Sequence, residues 1–555
     1  MSKSIQRTEI ENIYGKVSPF ELKDKLISYA GEAQERGTRP LLDAGRGNPN
    51  WTASSPRNAF FTFGHFAVEE TRRILRDGAL AGMPQKAGIA GRFFDYTEKN
   101  SHAPDVDLLK AMIEYGIRVK GFEADDFVYE LADGIIGDNY PFPDRMLRHT
   151  EKIVLEYLGR ELGYDIDGNP IKLYAVEGAT AAMCYLFDAL IANNIFSQGD
   201  TIALMTPIFT PYLEIPHLPR YNFNVVEIKA SELNEHGENT WQYPASEMDK
   251  LRNPAIKALF IVNPSNPPSV AINNATIAYL SEIVAKDNRD LMILSDDVYG
   301  TFVDGFTSLI RTLPYNTVGV YSFSKYFGVT GWRLGVVALH ENNVFDKLLG
   351  QQDEDKKSRA RRRYAALSIH PESIAFMDRV VADSRQVALN HTAGLSTPQQ
   401  VQMAFFCLFS LIDRENIYKQ QTRSILRKRR KLLFKGLGME VREDLHDAVY
   451  YTQFDLLQWA ARNYSQGFAD YLRETCRPVE ILLRLAEESS IVLLSGGGFS
   501  GPEWSIRISL ANLSDASYAT IGAVIRRILE QYAEEWKKSQ KPGRNLDEHQ
   551  ASRFE

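Results

Sequence analysis

Between residues 170 and 340 the chain alternates short apolar runs with polar or glycine- and proline-rich breaks. The runs are Leu173 to Val176, Ile202 to Met205, Ile256 to Val262, Leu291 to Leu294, Val318 to Tyr321 and Leu334 to Leu339. Runs this short, bounded by turn-forming residues, predict buried strands. Small residues and a helix start follow Val176, which places these strands in an α/β sheet. A further run, Met403 to Ile412, is half the length needed to span a membrane and predicts a core or interface helix.

Candidate chemistry lies where the strands end. Ser322-Phe323-Ser324-Lys325 separates the last two runs, and Arg333 follows the lysine by eight residues in Gly331-Trp332-Arg333-Leu334-Gly335. A lysine at a strand end beside the core is desolvated, which lowers its pKa and makes its amine a usable nucleophile. The arginine suits a phosphate, because its planar fork binds one bidentately. Leu291 to Leu294 runs into Ser295-Asp296-Asp297-Val298-Tyr299. Carboxylates there lie where ligands bind in α/β sheets. Asp297 reads as a cap of the next helix, which leaves Asp296 and Tyr299 as the pair of interest. Ile256 to Val262 leads into Asn263-Pro264-Ser265-Asn266-Pro267-Pro268, whose prolines exclude helix and present Asn266 rigidly. Glu177-Gly178-Ala179-Thr180-Ala181-Ala182 offers free amides to an anion at a helix start. Thr206-Pro207-Ile208-Phe209 puts an aromatic ring at another strand end.

In that order and at those intervals, the set resembles the fold-type I enzymes that use pyridoxal 5′-phosphate (PLP), in the class I/II aminotransferase group. The resemblance runs from about Gly45 to Leu513. It implies a large α/β domain with a mostly parallel sheet and a smaller α/β domain formed by both chain ends. It also implies that Lys325 carries PLP covalently and moves the substrate's α-proton. By the same resemblance, Asp296 faces the pyridine nitrogen, Tyr299 and Asn266 bond the phenolic oxygen, and Phe209 stacks on the ring. The amides of Ala179 and Thr180, the hydroxyls of Ser322 and Ser324, and Arg333 hold the phosphate. Tyr140, in Gly137-Asp138-Asn139-Tyr140-Pro141, matches a tyrosine that reaches the neighbouring subunit's cofactor, which implies a homodimer with shared active sites. Arg507 matches the arginine that clamps the substrate's α-carboxylate. It alternates with Ile506 and Ile508, so it points away from the apolar face of its strand. Gly47, in Gly45-Arg46-Gly47-Asn48-Pro49, lies over the substrate, which Asn266 also contacts. One departure stands out: the group has Pro-Thr-Gly after the asparagine, and this chain has Pro267-Pro268-Ser269.

At 555 residues the chain exceeds the roughly 400 typical of the group, with the excess near Ser54 to Glu130 and Asn342 to Leu395. Those insertions, with the segments around Gly45 to Trp51 and Tyr326 to Gly335, resemble the bacterial L-aspartate 4-decarboxylases along the whole chain. That implies β-decarboxylation of L-aspartate to L-alanine and CO2, a minor aminotransferase activity, reactivation by 2-oxo acids, and dimers assembled into a homododecamer. A bidentate arginine on the distal carboxylate would stabilise the ground state and oppose its loss. A looser cationic environment from the N-terminal arm is therefore expected, with Lys16 and Arg36 as candidates and Arg46 in reserve. Two other readings stay open. One is an aspartate or aromatic aminotransferase using a 2-oxo acid acceptor. The other is a non-enzymatic PLP-sensing regulator, for which the residues ahead of Gly45 are too few to form a DNA-binding domain.

The expected organisation is an N-terminal arm and part of the small domain (1–55), a helical insertion (56–130) and a PLP-binding large domain (131–395, with an insertion at about 342–395). A small C-terminal domain (396–540) and a flexible tail (541–555) follow. Net charge is −7, and Asp353-Glu354-Asp355 precedes the basic run Lys356 to Arg363. That run therefore reads as a solvated helix or assembly contact, and no nucleic-acid partner is expected. Arg427 to Lys431 reads as the outer face of a long helix. Cys184, Cys407 and Cys476 are too dispersed for a disulfide framework or a metal site. With no apolar leader or membrane-length run, a cytoplasmic location is expected and no membrane partner.

Overall fold

The computed structural model describes residues 18–36, 40–76, 82–137, 145–165, 170–385 and 394–540, without the side chains of 32–36. Two compact units result: Met1–Arg46 with Lys428–Arg442 and Thr452–Glu555, and Gly47–Arg427 with Glu443–Tyr451.

In the first unit, β1 (Leu42–Asp43) pairs in parallel with a short strand at Ile491–Val492. Leu494–Ser495, Ser505–Ser509 and Tyr451–Asp455 form a three-stranded sheet, and the helices Pro19–Arg36 and Asp515–Ser539 flank the chain ends.

The second unit is built on a seven-stranded sheet. Its strands are β2 (Ile171–Val176), β3 (Thr201–Thr206), β4 (Asn224–Lys229), β5 (Ile256–Val262), β6 (Met292–Asp296), β7 (Thr317–Ser322) and β8 (Gly335–His340). The order is β2-β8-β7-β6-β5-β3-β4. Strands β4, β3, β5, β6 and β7 pair in parallel, whereas β8 is antiparallel to both β7 and β2. Each of the six short apolar runs between residues 170 and 340 lies in one of these strands or overlaps it, and Met403 to Ile412 lies in a helix. Their continuous burial explains the lack of polar alternation, since helices cover both faces of such a sheet. One layer of the core joins Ala203, Met205, Leu259, Ile261 and Ile293 to the helix Asn274–Lys286 through Leu280 and Ile283. Each fully buried leucine or isoleucine there contributes about 1.5–3 kcal/mol. Asn273 caps that helix, its side-chain oxygen accepting from the Thr276 amide at 2.8 Å.

The aromatic-rich stretch after Ser54 is helical: Ser54–Arg76, Ile89–Lys99, Val106–Glu114 and Ala124–Ile136. Phe63, Phe66, Phe93 and Tyr96 pack ring against ring, and Phe63 also meets Phe405 of the helix Thr397–Ile412. These contacts fasten the segment to the sheet-bearing unit. The basic run lies on the helix Glu354–Tyr364, capped by Asp353, with Arg359, Arg362 and Arg363 exposed.

Two expectations need correction. Arg429 and Arg430 are buried, not on an outer face. Arg429 Nε donates to Asp515 Oδ1 at 3.1 Å and its Nη1 to the Leu510 carbonyl, so the charge is compensated inside. Asp297 does not cap a helix either. Its carboxylate accepts from Ser295 Oγ at 2.6 Å and Ser308 Oγ at 2.5 Å.

Candidate active site

Strand direction gathers the candidates. In the parallel strands β3, β5, β6 and β7, the segments holding Phe209, Asn266, Asp296 and Lys325 all come at C-terminal ends. Because β8 runs opposite to both neighbours, β2 points the same way as β7. The register places Gly335 opposite Val176 on one side and Ser322 on the other. The Glu177–Thr180 turn and Arg333, just before β8, therefore share that edge with Lys325, at the position where open α/β sheets bind ligands.

Lys325 is half-buried, and its Nζ donates to the Gly47 carbonyl at 3.2 Å. The backbone beyond it is tied down carbonyl by carbonyl. Tyr326 O accepts from Trp51 Nε1 (3.1 Å) and the Tyr418 hydroxyl (2.8 Å). Phe327 O accepts from the Ala53 amide (3.2 Å) and Arg57 Nη1 (3.4 Å), and Gly328 O from Arg57 Nη2 (2.7 Å). Gly328 has φ +65 and lies so close to Trp51 that a Cβ would sit 2.2 Å from the Trp51 carbonyl oxygen.

Asp296 is buried, and burial pushes its carboxyl up to about 6. The Tyr212 hydroxyl (2.7 Å), the Val298 amide (3.2 Å) and the positive charge of Lys325 all pull the other way. Burial likewise pushes Asp297 up to about 7 despite its two serine donors. Phe209 is half-buried, and its ring meets that of Tyr212 edge-on at 5.6 Å. Tyr299 and Asn266 are buried side by side, with Asn266 Nδ2 3.5 Å from the Tyr299 hydroxyl. Tyr450 donates to the Gly47 carbonyl at 2.8 Å, and the Tyr451 and Tyr299 hydroxyls are 3.1 Å apart.

Gly178 (φ +90) precedes the helix Ala179–Ala192. A Cβ there would lie 2.5 Å from Arg333 Nη2, and one at Gly335 would lie 2.6 Å from Gly178 Cα, so side chains are excluded from this corner. Arg333 adopts a left-handed backbone (φ +59), with Nη2 donating to Glu177 O at 3.0 Å and Nη1 to Thr330 O at 2.8 Å. Ser322 Oγ and Ser324 Oγ are 2.9 Å apart. The residues present fit PLP. Helix-start amides, two hydroxyls and a guanidinium suit its phosphate. A buried acid with a raised pKa suits a cationic ring nitrogen. The buried Asn266 side-chain oxygen, with no hydrogen-bond partner among the described residues, leaves that carboxamide a bond to make.

Arg507 belongs to the other unit. It lies mid-strand in Ser505–Ser509, buried, with Nη1 3.2 Å from the Gly45 carbonyl and its guanidinium 5.3 Å over the Phe499 ring. Arg46 is exposed. Tyr140 and Lys16 lie outside the described residues, as does the side chain of Arg36. The sequence reading missed Tyr212, Tyr450, Tyr451 and Arg57. Only Tyr212 left a signal, three residues after Phe209 and so one helical turn away.

The sequence pattern of the aminotransferase class I and II family matches residues 145–525. Over 524 residues the chain is 44% identical to a Pseudomonas protein named bifunctional aspartate aminotransferase and L-aspartate beta-decarboxylase, covering 94% of this chain and 97% of that one. Among solved structures, an aspartate aminotransferase from Rhizobium meliloti aligns with a TM-score of 0.56 at 17% identity, covering 93% of this chain and 96% of that one. A single mutant of Thermus thermophilus aspartate aminotransferase aligns with a TM-score of 0.55 at 17% identity, covering 96% and 99%. At that identity the structural likeness is one of fold. The lysine, acid, asparagine and phosphate cradle on one sheet edge thus agree with the match in sequence: the chain belongs to the aminotransferase class I and II family and is a PLP-dependent enzyme of that fold.

Proposed function

We propose that this enzyme removes the β-carboxylate of L-aspartate as CO2 and releases L-alanine, with a minor aminotransferase activity. One observation carries the reading. Identity to the bifunctional Pseudomonas protein extends over 524 residues, well past the 145–525 region common to the wider family.

Bound PLP supplies an electron sink for the bonds broken at Cα and Cβ of the substrate. The chain's residues do the rest. Lys325 would hold the cofactor covalently and, once released, would take the substrate's Cα proton on Nζ. Asp296, ionised, keeps the ring nitrogen protonated. Tyr299 and Asn266 orient the phenolic oxygen, and Phe209 covers the ring. Ala179, Thr180, Ser322, Ser324 and Arg333 hold the phosphate, joined by Tyr140 from a neighbouring subunit. Arg507 takes the α-carboxylate, with Gly47 and Asn266 against the substrate. Lys16 and Arg36 supply a loose positive field at the β-carboxylate, because a tight clamp would resist its departure. The enzyme works in the cytoplasm as a dimer with shared sites, assembled into a dodecamer, and 2-oxo acids restore molecules stalled by transamination. Among the described residues no helix is long and apolar enough to cross a membrane.

A proton NMR time course with PLP-loaded enzyme and L-aspartate, without 2-oxo acid, should show sustained stoichiometric conversion to alanine. Lys16→Ala and Arg36→Ala should slow it, and unchanged rates in both would remove them from the site. A single turnover to oxaloacetate that stalls until 2-oxo acid is added would make the enzyme an aspartate or aromatic aminotransferase. Light scattering should give a mass near twelve chains. A mass of two chains would remove the dodecamer.

A further inference from the structure

Ser269 stands where the class I/II resemblance has glycine, in the loop that carries Asn266. It takes a left-handed conformation (φ +67), which glycine adopts without steric cost and serine does not. Its side chain has a visible task. Buried Ser269 Oγ accepts from the Tyr451 amide at 2.8 Å, and the Ser269 carbonyl accepts from the Ala448 amide at 2.8 Å. Ala271 N donates to His446 O at 2.8 Å, and Val270 bridges to Asp447. The segment from His446 to Tyr451 is thereby laced to the Asn266 loop. Within it Val449 is held at φ +56, its amide donating to Asp447 Oδ1 at 2.7 Å. A β-branched residue seldom takes that conformation, so the surroundings impose it.

The imposed shape delivers the Tyr451 hydroxyl to within 3.1 Å of the Tyr299 hydroxyl, with the two rings edge-on at 5.6 Å. Tyr450 packs beside both, at 5.0 Å from the Tyr299 ring and 4.9 Å from that of Tyr451. Asn266, Tyr450 and Tyr451 are among the side chains that face Tyr299. Asp296, Asp297, Glu177, Lys325 and Arg333 are charged groups of the same sheet edge.

We propose that Tyr451, anchored through Ser269, is a positioning residue that directs the Tyr299 proton toward the cofactor's phenolic oxygen. The proposal rests on the placement of that oxygen beside Tyr299 and Asn266. A tyrosine hydroxyl has one proton. In the structure Tyr299 donates to Tyr451; when Tyr299 turns its proton to the phenolic oxygen, that bond reverses and Tyr451 donates to Tyr299 in turn. Hydrogen bonds in such a chain polarise one another, so the outer donor strengthens the inner bond. The serine hydroxyl holds the outer donor in register, which gives a physical reason for serine at a glycine position.

The test loads wild type, Tyr299→Phe, Tyr451→Phe and Ser269→Gly with PLP and titrates the visible band of the lysine-bound cofactor against pH, without substrate. A donor to the phenolic oxygen withdraws charge from it, so the adjoining nitrogen releases its proton at lower pH. Removing the donor raises the midpoint. Y299F should raise it most, Y451F by about 0.3–0.5 pH unit, and S269G in the same direction. The Y451F/S269G double variant should go no further than Y451F, because the serine acts through the tyrosine. Y451F keeps its ring contacts and S269G relieves a strained position, so both retain the fold. A wild-type midpoint in Y451F with a shift in Y299F overturns the inference alone, and no shift in either overturns the placement as well. Because aspartate is absent, the result is independent of the product the enzyme makes.

Discussion

Lys325→Ala should lose aspartate turnover by at least about 10⁴-fold, the upper range for removing a positioned acid–base group, with loss of the nucleophile added. The protein itself should be intact. Lys325 is half-buried and its amine makes one hydrogen bond among the described residues, to Gly47 O. The residues proposed to hold the phosphate are others, so K325A should still take up PLP, now non-covalently. Borohydride followed by mass spectrometry should fix the cofactor to wild type and not to K325A. A variant that retains turnover within tenfold of wild type, or is still labelled, would remove Lys325 from its role.

Asp296→Asn should cut turnover by about 10²- to 10⁴-fold, the cost of removing one partner from a buried charge pair. The amide oxygen can still accept from Tyr212, so the loss isolates charge from shape. Asp296→Glu should recover part of it. Full activity in D296N would mean that the ring nitrogen finds its charge elsewhere. The same acid predicts a pH effect in the cofactor-free protein. Its carboxyl is raised from the ordinary 3.8 to about 6, so the folded state holds that proton more tightly than the unfolded chain. The stabilisation is fully present below about pH 4 and is lost as pH rises through about 6, at no more than about 1.4 kcal/mol per pH unit. Asp297, raised to about 7, extends the decline in the same direction. Urea melts of apoprotein between pH 4 and 7 should fall less steeply in D296N than in wild type. A steeper fall in D296N would refute the raised carboxyl.

Much of the sheet-bearing unit was legible because its strands are short, apolar and end in chemistry. Ile256 to Val262 coincides with β5, and Asn266, Asp296 and Lys325 each come shortly after the end of an apolar run. What failed was whatever depends on chain return. Tyr450 and Tyr451 lie about 150 residues beyond Tyr299, and nothing local in a Tyr-Tyr pair foretells which carbonyl or hydroxyl it will meet. Arg429 and Arg430 misled for a related reason. A run of basic residues reads as solvent-facing until a distant aspartate and a backbone carbonyl, here Asp515 and Leu510, are folded against it. Asp297 had the composition of a cap, but two serines claimed its carboxylate first.

The anchored carbonyls of Tyr326, Phe327 and Gly328 bear on how a catalytic cycle closes. In the role proposed for Lys325, its amine has to return to the same position at the end of every turnover. On a loose loop its amine would wander through many positions, and the return would resemble an encounter between separate molecules. Here the backbone beside Lys325 is pinned by Trp51, Ala53, Arg57 and Tyr418, so the amine stays within reach of its own stem. Tethering of that kind gives effective molarities of about 10⁵–10⁸ M in well-oriented cases. The long helical segment that begins at Ser54 and supplies Arg57 thus helps keep the Lys325 amine concentrated at the one place where its proposed role needs it.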